Sequence, residues 1–255
     1  MMSIDMIIMG FFVGFLVGLT GVGGAALLTP ILIVAGINPS IAVGTDLVYN
    51  SITKFFGAIQ HWRQKTINFK LVKYLAIGSI PSAAIAIGLL NHFDDSFLNQ
   101  DQIIKNALGY VLILVSLSII ARIFFDNKLR PNRFQLKPIK QKKGLTILIG
   151  ILLGFIVGLT SIGSGSLFAV AMLYMYQLKG SELVGTDIAH AFLLVTVAGM
   201  LYLSAGNIDY PLVINLLTGS IPGVIIGSTL SAKVKTKPLR AAVALVILFS
   251  GFKLL

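Results

Sequence analysis

The sequence predicts an all-α polytopic membrane protein made of two inverted repeats, each a broken, re-entrant helical hairpin followed by three transmembrane helices. Three observations carry that prediction: a composition too apolar for a soluble domain, an internal duplication, and a one-sided placement of basic residues. Of the 255 residues, 56% are hydrophobic and 11% charged, against about a quarter charged in soluble domains. Apolar stretches near 40–60, 71–90, 103–125, 182–203, 210–230 and 239–255 each approach the ~20 residues an α-helix needs to cross the hydrocarbon core. Helices are required there because backbone in lipid must satisfy its own hydrogen bonds. Two more apolar stretches, 6–36 and 144–178, are too long for one ordinary crossing.

The duplication is read by aligning the chain on itself. GFFVGFLVGLTGVGG from Gly10 lies over GILLGFIVGLTSIGS from Gly150, VGTD ending at Asp46 over VGTD ending at Asp187, and GSIP ending at Pro81 over GSIP ending at Pro222. Matched phrases in one order mark a repeat. It divides the chain into a first repeat, 1–125, a basic, Pro-containing linker, 126–143, and a second repeat, 144–255.

Basic residues decide the sense of the repeats. If 6–36 and 144–178 enter and leave on one side, each half makes three full crossings and the second half is upside down. Loops 62–73, 122–143, 178–182 and 231–240 then share one face with about 17 of the 20 Lys and Arg, as cytoplasmic loops do. Four crossings per half would make the repeats parallel and leave only about 13 on that face. The inverted arrangement also puts the acidic loop NHFDDSFLNQD (91–101) outside. The net charge of +11 is therefore a matter of topology, not of nucleic-acid binding. The expected location is a membrane, crossed several times. The start, MMSIDMIIMGFF, has no basic n-region and does not read as a cleavable signal. The absence of cysteine excludes disulfides, thiolate metal sites and Cys nucleophiles.

Length supports the broken hairpins: 31 residues make two helical arms of roughly 20 Å that reach about mid-bilayer and return. The glycine-rich phrases would form the turn. Gly21, Gly23 and Gly24 in one half, with Gly163, Ser164 and Gly165 in the other, let the chain reverse and expose N–H groups at the start of the next half-helix. Those N–H groups and the helix dipole attract anions, and Thr20, Thr160 and Ser161 add hydroxyls. Unwound backbone at membrane depth is tolerated where it lines a cavity, the usual construction of a substrate site in repeat-built transporters. The upstream ladders Gly10, Gly14, Gly18 and Gly150, Gly154, Gly158 have the four-residue spacing of close helix packing.

A second constellation pairs GTDLVYNSITK (44–54) with GTDIAHAFLLV (185–195). Thr45 and Thr186 precede Asp46 and Asp187 early in a helix, followed by Asn50 and Lys54 in one half and His190 in the other. An intramembrane Asp is expensive and by default functional, here as proton carrier, cation partner or positioning group; capping the helix is the competing role. Lys54 can counter an anion or snorkel to the basic face. His190 can titrate near neutral pH or serve packing. Pro81 and Pro222 are expected to kink two matching helices.

On these residues the chain resembles the TauE/SafE sulfite-exporter-like permeases, the TSUP transporters. The resemblance spans nearly the whole sequence and rests on GFLVGLTGVGGAALLTPIL with Pro30 after the glycines, the following AVGTDL, and their duplicate. It implies a multi-pass inner- or plasma-membrane carrier of small sulfur-containing anions such as sulfite or organosulfonates. Val170 stands where Pro30 stands, and Ser161 and Ser164 replace glycines, so the two halves of the site differ. The expected function is a secondary anion permease working by alternating access, proton-coupled through Asp46, Asp187 or His190. Its partners are the small anion and membrane lipids, with no cofactor and no metal; a homo-oligomer is compatible with the sequence but not derivable from it. No Walker motif points to ATP, and an intramembrane enzyme lacks H-E-x-x-H and G-x-S-x-G. A membrane scaffold or assembly factor, or a transporter of another small anion, is the second reading.

Overall fold

In a computed structural model of the chain, which describes residues 3–20, 24–94, 100–125, 135, 138–231 and 236–255, the first half comprises α1 (Ile4–Thr20), α2 (Ala25–Val34), α3 (Pro39–Arg63), α4 (Phe69–Asp94) and α5 (Gln100–Phe125). The second comprises α6 (Lys143–Thr160), α7 (Leu167–Met175), α8 (Gly180–Ser204), α9 (Tyr210–Ser231) and α10 (Thr236–Leu254), with a short 3-10 turn, Ile139–Lys142, ahead of α6. Five of the described helical segments are long and apolar enough to cross a membrane; α1 and α2 are apolar but shorter. Large apolar side chains such as Phe12, Phe56, Ile225 and Phe249 point outward, as expected where the surrounding solvent is lipid.

Local chemistry explains where the helices stop. Pro39 opens α3, where its missing N–H is no loss. Both long apolar stretches break where expected, after Thr20 and after Thr160. Helix α6 ends because Ser161 turns left-handed (φ 58°) while its N–H still bonds Val157 O at 2.8 Å. The arms are unequal rather than the roughly matched pair anticipated: 17 and 10 residues in the first half, 18 and 9 in the second. The long arms are those that carry the glycine ladders. Pro81 and Pro222 sit inside α4 and α9, which continue through them.

Those ladders set the main packing. α1 lies against α9 with Gly10 on Leu216, Gly14 on Ser220 and Gly18 on Val224, and α6 lies against α4 with Gly150 on Leu75, Gly154 on Ser79 and Gly158 on Ala83. A Cβ on Gly14 would stand 2.5 Å from Ser220 O, and one on Gly154 2.4 Å from Ser79 O, so only glycine permits this backbone approach. Residue numbers rise together in both pairs, so the partners are parallel. Elsewhere they run oppositely: Ser51 meets Thr196 and Gly57 meets Ile188 between α3 and α8, while Gly109 meets Gly251 and Ser116 meets Ala244 between α5 and α10. Helix α2 opposes α3, with Gly24 beside Asn50 and Thr29 beside Asp46.

Short turns, 64–68 and 205–209, link α3 to α4 and α8 to α9, so α3 runs with α9 and therefore with α1. Helix α2 thus returns toward the end from which α1 came. The ends of the inter-half packing are tied by matched bonds: Thr45 Oγ1 accepts the Asp209 N–H at 3.2 Å, and Thr186 Oγ1 accepts the Asn68 N–H at 2.9 Å. The short helix α7 is held at its C-terminal end by Lys142 Nζ, which donates to Met175 O at 2.6 Å, a cation on the negative end of a helix dipole.

Candidate functional site

The antiparallel crossing of α3 and α8, with the starts of α2 and α7 beside it, leaves a cavity of about 330 Å³. Its polar wall comes from α3, where Tyr49, Asn50, Thr53 and Lys54 face inward, and from Asp187 on α8. Gly24, just before α2, and Gly165, just before α7, complete it. Each is the approach to a helix N-terminus, where the backbone carries partial positive charge. Lys54 lies within electrostatic reach of both Asp187 and Asp46. A cation and two helix starts around one space favour negative charge there, and the carboxyl of Asp187 opposes it when ionised.

Behind this wall Asp46 is fully buried at the meeting of three segments. Its Oδ2 accepts from Thr29 Oγ1 on α2 at 3.1 Å and from Ser161 Oγ at the break of the other half. Asn50 Nδ2 donates to Asp46 Oδ1 at 2.8 Å and to its carbonyl at 2.9 Å. Thr29 and Ser161 are themselves 3.2 Å apart. Asp46 thus orients Asn50, whose other face lines the cavity.

Of the residues expected to form the site, Gly24, Asn50, Lys54, Gly165 and Asp187 line the cavity together. Ser161 and Asp46 stand one layer back. Thr20 and Thr160 lie at the two breaks, but their hydroxyls donate to Leu16 O at 2.6 Å and Ile156 O at 2.7 Å, one turn upstream in their own helices. Gly163 (φ 106°) and Ser164 are buried in the second break away from the cavity wall. Thr45 and Thr186 serve the distant inter-half ties already described. His190 is buried, its Nε2 2.8 Å from Ser79 Oγ of α4 and its ring against Phe168 of α7 at 4.4 Å. Its Nδ1 has no hydrogen-bond partner among the described residues. Gly21 and Gly23 lie outside the described residues.

Sequence reasoning missed Thr29, Thr53 and Arg240. Thr53 had a signal, since it follows Tyr49 and Asn50 by one turn on the same face. Thr29 offered only a hydroxyl in an apolar helix. Arg240, at the start of α10, donates from Nε to Thr20 O at 2.8 Å, a contact between residues 220 positions apart that no local pattern announces.

A family model described as sulfite exporter TauE/SafE matches residues 6–254. The chain is 68% identical over 254 residues to the probable membrane transporter protein YjnA of Bacillus subtilis (strain 168), covering 100% of both chains. It is 25% identical to the probable membrane transporter protein YdhB of the same organism, over 98% of each. A probable membrane transporter protein of Methanocaldococcus jannaschii is 29% identical over 91% of this chain and 86% of its own. No solved structure matches the chain.

Proposed function

The chain belongs to the sulfite exporter TauE/SafE family of membrane transporters, and we propose that it is a secondary, proton-coupled permease for small sulfur-containing anions, sulfite or organosulfonates. The observation that supports this most is the joint presence of Lys54, Asn50 and Asp187 on a cavity reached by the starts of α2 and α7. An oxyanion there meets a cation and two positive helix ends. Ionised Asp187 repels it, whereas protonated Asp187 donates to it. Proton and anion are therefore taken up together, and each is released more readily once the other has left.

In this reading the chain is two repeats, 1–125 and 144–255, joined by the basic linker 126–143 and inserted in opposite senses. The opposed running of α3 with α8 and of α5 with α10 supports that, since corresponding helices of inverted repeats must run oppositely. Alternating access is then movement of one repeat against the other about the cavity.

Purified protein in proteoliposomes, loaded at one pH and diluted into another, tests the proposal. Uptake of sulfite or a small alkylsulfonate is expected to follow the proton gradient, and the same anions should raise the melting temperature of wild type but not of Lys54→Met. Uptake indifferent to a proton gradient would remove the coupling. A melting temperature indifferent to every sulfur oxyanion, together with no uptake, would favour a scaffold.

A further inference from the structure

We propose that the outer face of the α3–α4 turn is a binding site for an anionic phospholipid, one acyl chain lying in an apolar groove and the phosphodiester held between Arg63 and Lys65. The groove, about 260 Å³, is walled by Phe55, Ile59, Trp62, Phe69, Val72 and Phe192 from α3, α4 and α8. It shares Trp62, Ile67 and Phe69 with a second hollow that Arg63 and Lys65 complete, so the apolar channel ends at two cations. Trp62 and Phe69 remain 64% and 61% exposed. A tryptophan between apolar groove and basic mouth matches the headgroup level of a bilayer.

The internal duplication supplies a control for this arrangement. At the matching turn of the second half the residues are Leu203, Ser204 and Gly206 in place of Trp62, Arg63 and Lys65. Both turns close alike: Thr66 N bonds His61 O at 3.1 Å, and Asn207 N bonds Tyr202 O at 3.1 Å. Both need a left-handed residue, Gly206 at φ 76° but Lys65 at φ 55°. Glycine adopts that conformation freely and lysine does not, so backbone geometry gives no reason for a lysine here. Because α3 and α8 are antiparallel, the two turns lie at opposite ends of the bundle. The cationic one shares its end with the close of α5 and the start of α6. That is the face expected to meet the anionic cytoplasmic leaflet.

The test is native mass spectrometry of the full chain titrated with dioleoyl phosphatidylglycerol or with dioleoyl phosphatidylcholine. Wild type should hold phosphatidylglycerol on the order of 10-fold tighter or more, each cation contributing roughly five-fold. Arg63→Gln/Lys65→Gln should erase that preference, while Lys70→Gln/Lys73→Gln, exposed on α4 at the same face, should keep it. Ala58 also lines the groove, so Ala58→Phe, which fills it and leaves both cations in place, should weaken both lipids. The proposal falls if the preference survives Arg63→Gln/Lys65→Gln, or if the Lys70/Lys73 control loses it equally, since a diffuse basic surface then explains it. It also falls if inorganic phosphate displaces the lipid, or if Ala58→Phe leaves the binding of both lipids intact.

Discussion

The hydroxyl of Ser161 donates to the carboxylate of Asp46 across the boundary between the two halves of the chain. Ser161 makes that contact because it ends α6 in the left-handed conformation, which swings its side chain toward α2 and α3. The reciprocal contact cannot exist, since Gly21 occupies the position of Ser161 in the first half and has no hydroxyl. Asp46 is engaged there as an acceptor, and its counterpart Asp187 lines the cavity.

Two substitutions at Ser161 separate the bond from the backbone. Ser161→Ala loses the hydroxyl and keeps the unfavourable φ, leaving Asp46 one donor short inside the protein. It is expected to cost about 1–3 kcal/mol. Ser161→Gly loses the same bond but relieves the backbone, recovering roughly 1 kcal/mol. Thermal unfolding in detergent should rank wild type, glycine, alanine in falling order; equal stability of all three would show that the bond contributes nothing.

The cavity makes a pH prediction whose sign follows from charge. With Lys54 and Asp187 on one wall, anion affinity should rise as the medium is acidified and Asp187 takes a proton. Asp187→Asn, permanently neutral, should bind the anion at high pH as well as at low pH and lose uphill, proton-driven uptake. Lys54→Met should weaken binding at every pH by about 10-fold or more, as removal of a charge-assisted contact of roughly 1.5–3 kcal/mol implies. Isothermal titration with sulfite across pH checks both; an unchanged pH profile in Asp187→Asn would assign the coupling elsewhere.

Arg240 places a guanidinium on the last carbonyl of α1, with Nε 2.8 Å from Thr20 O. A cation there complements the negative helix end. Arg240→Gln is expected to destabilise the break by about 1–2 kcal/mol, with Arg240→Lys intermediate. Hydrogen exchange in residues 12–28 should accelerate in that order.

The glycine ladders predict paired costs. Gly14→Ala and Gly154→Ala each drive a methyl into a serine backbone on the facing helix, Ser220 in one case and Ser79 in the other. Overpacking of this kind costs about 1–3 kcal/mol, so similar drops in melting temperature are expected for the two. Gly88, whose Cβ position is open, should tolerate alanine. A drop at Gly88 as large as at Gly14 would show that the tight approach is not what matters.

Part of the cavity wall was legible in the residues themselves. The two breaks were announced by glycine clusters inside apolar runs, and Asn50, Lys54 and Asp187 stood out because polar groups in a membrane span need a reason. Thr20 and Thr160 were read as donors to a ligand, yet each hydroxyl returns to its own helix, a local bond that a side-chain count does not distinguish. His190 can titrate or serve packing by chemistry alone, and its position on α8 sets it against Ser79 and Phe168. Which way a helix faces depends on its neighbours.

Amino-acid order by itself settled the solvent, the duplication, the helix breaks and the close glycine faces, because each depends on hydrophobicity and steric size within a few turns of chain. Folding in three dimensions was needed to pass Ser161 to Asp46, to bring Arg240 to Thr20, and to make Asp46 a buried acceptor while Asp187 faces the cavity. Those pairings join residues far apart in the chain, and their geometry follows from how α1 seats on α9 and α6 on α4. Nearly identical phrases therefore perform different tasks once each is packed against the other half.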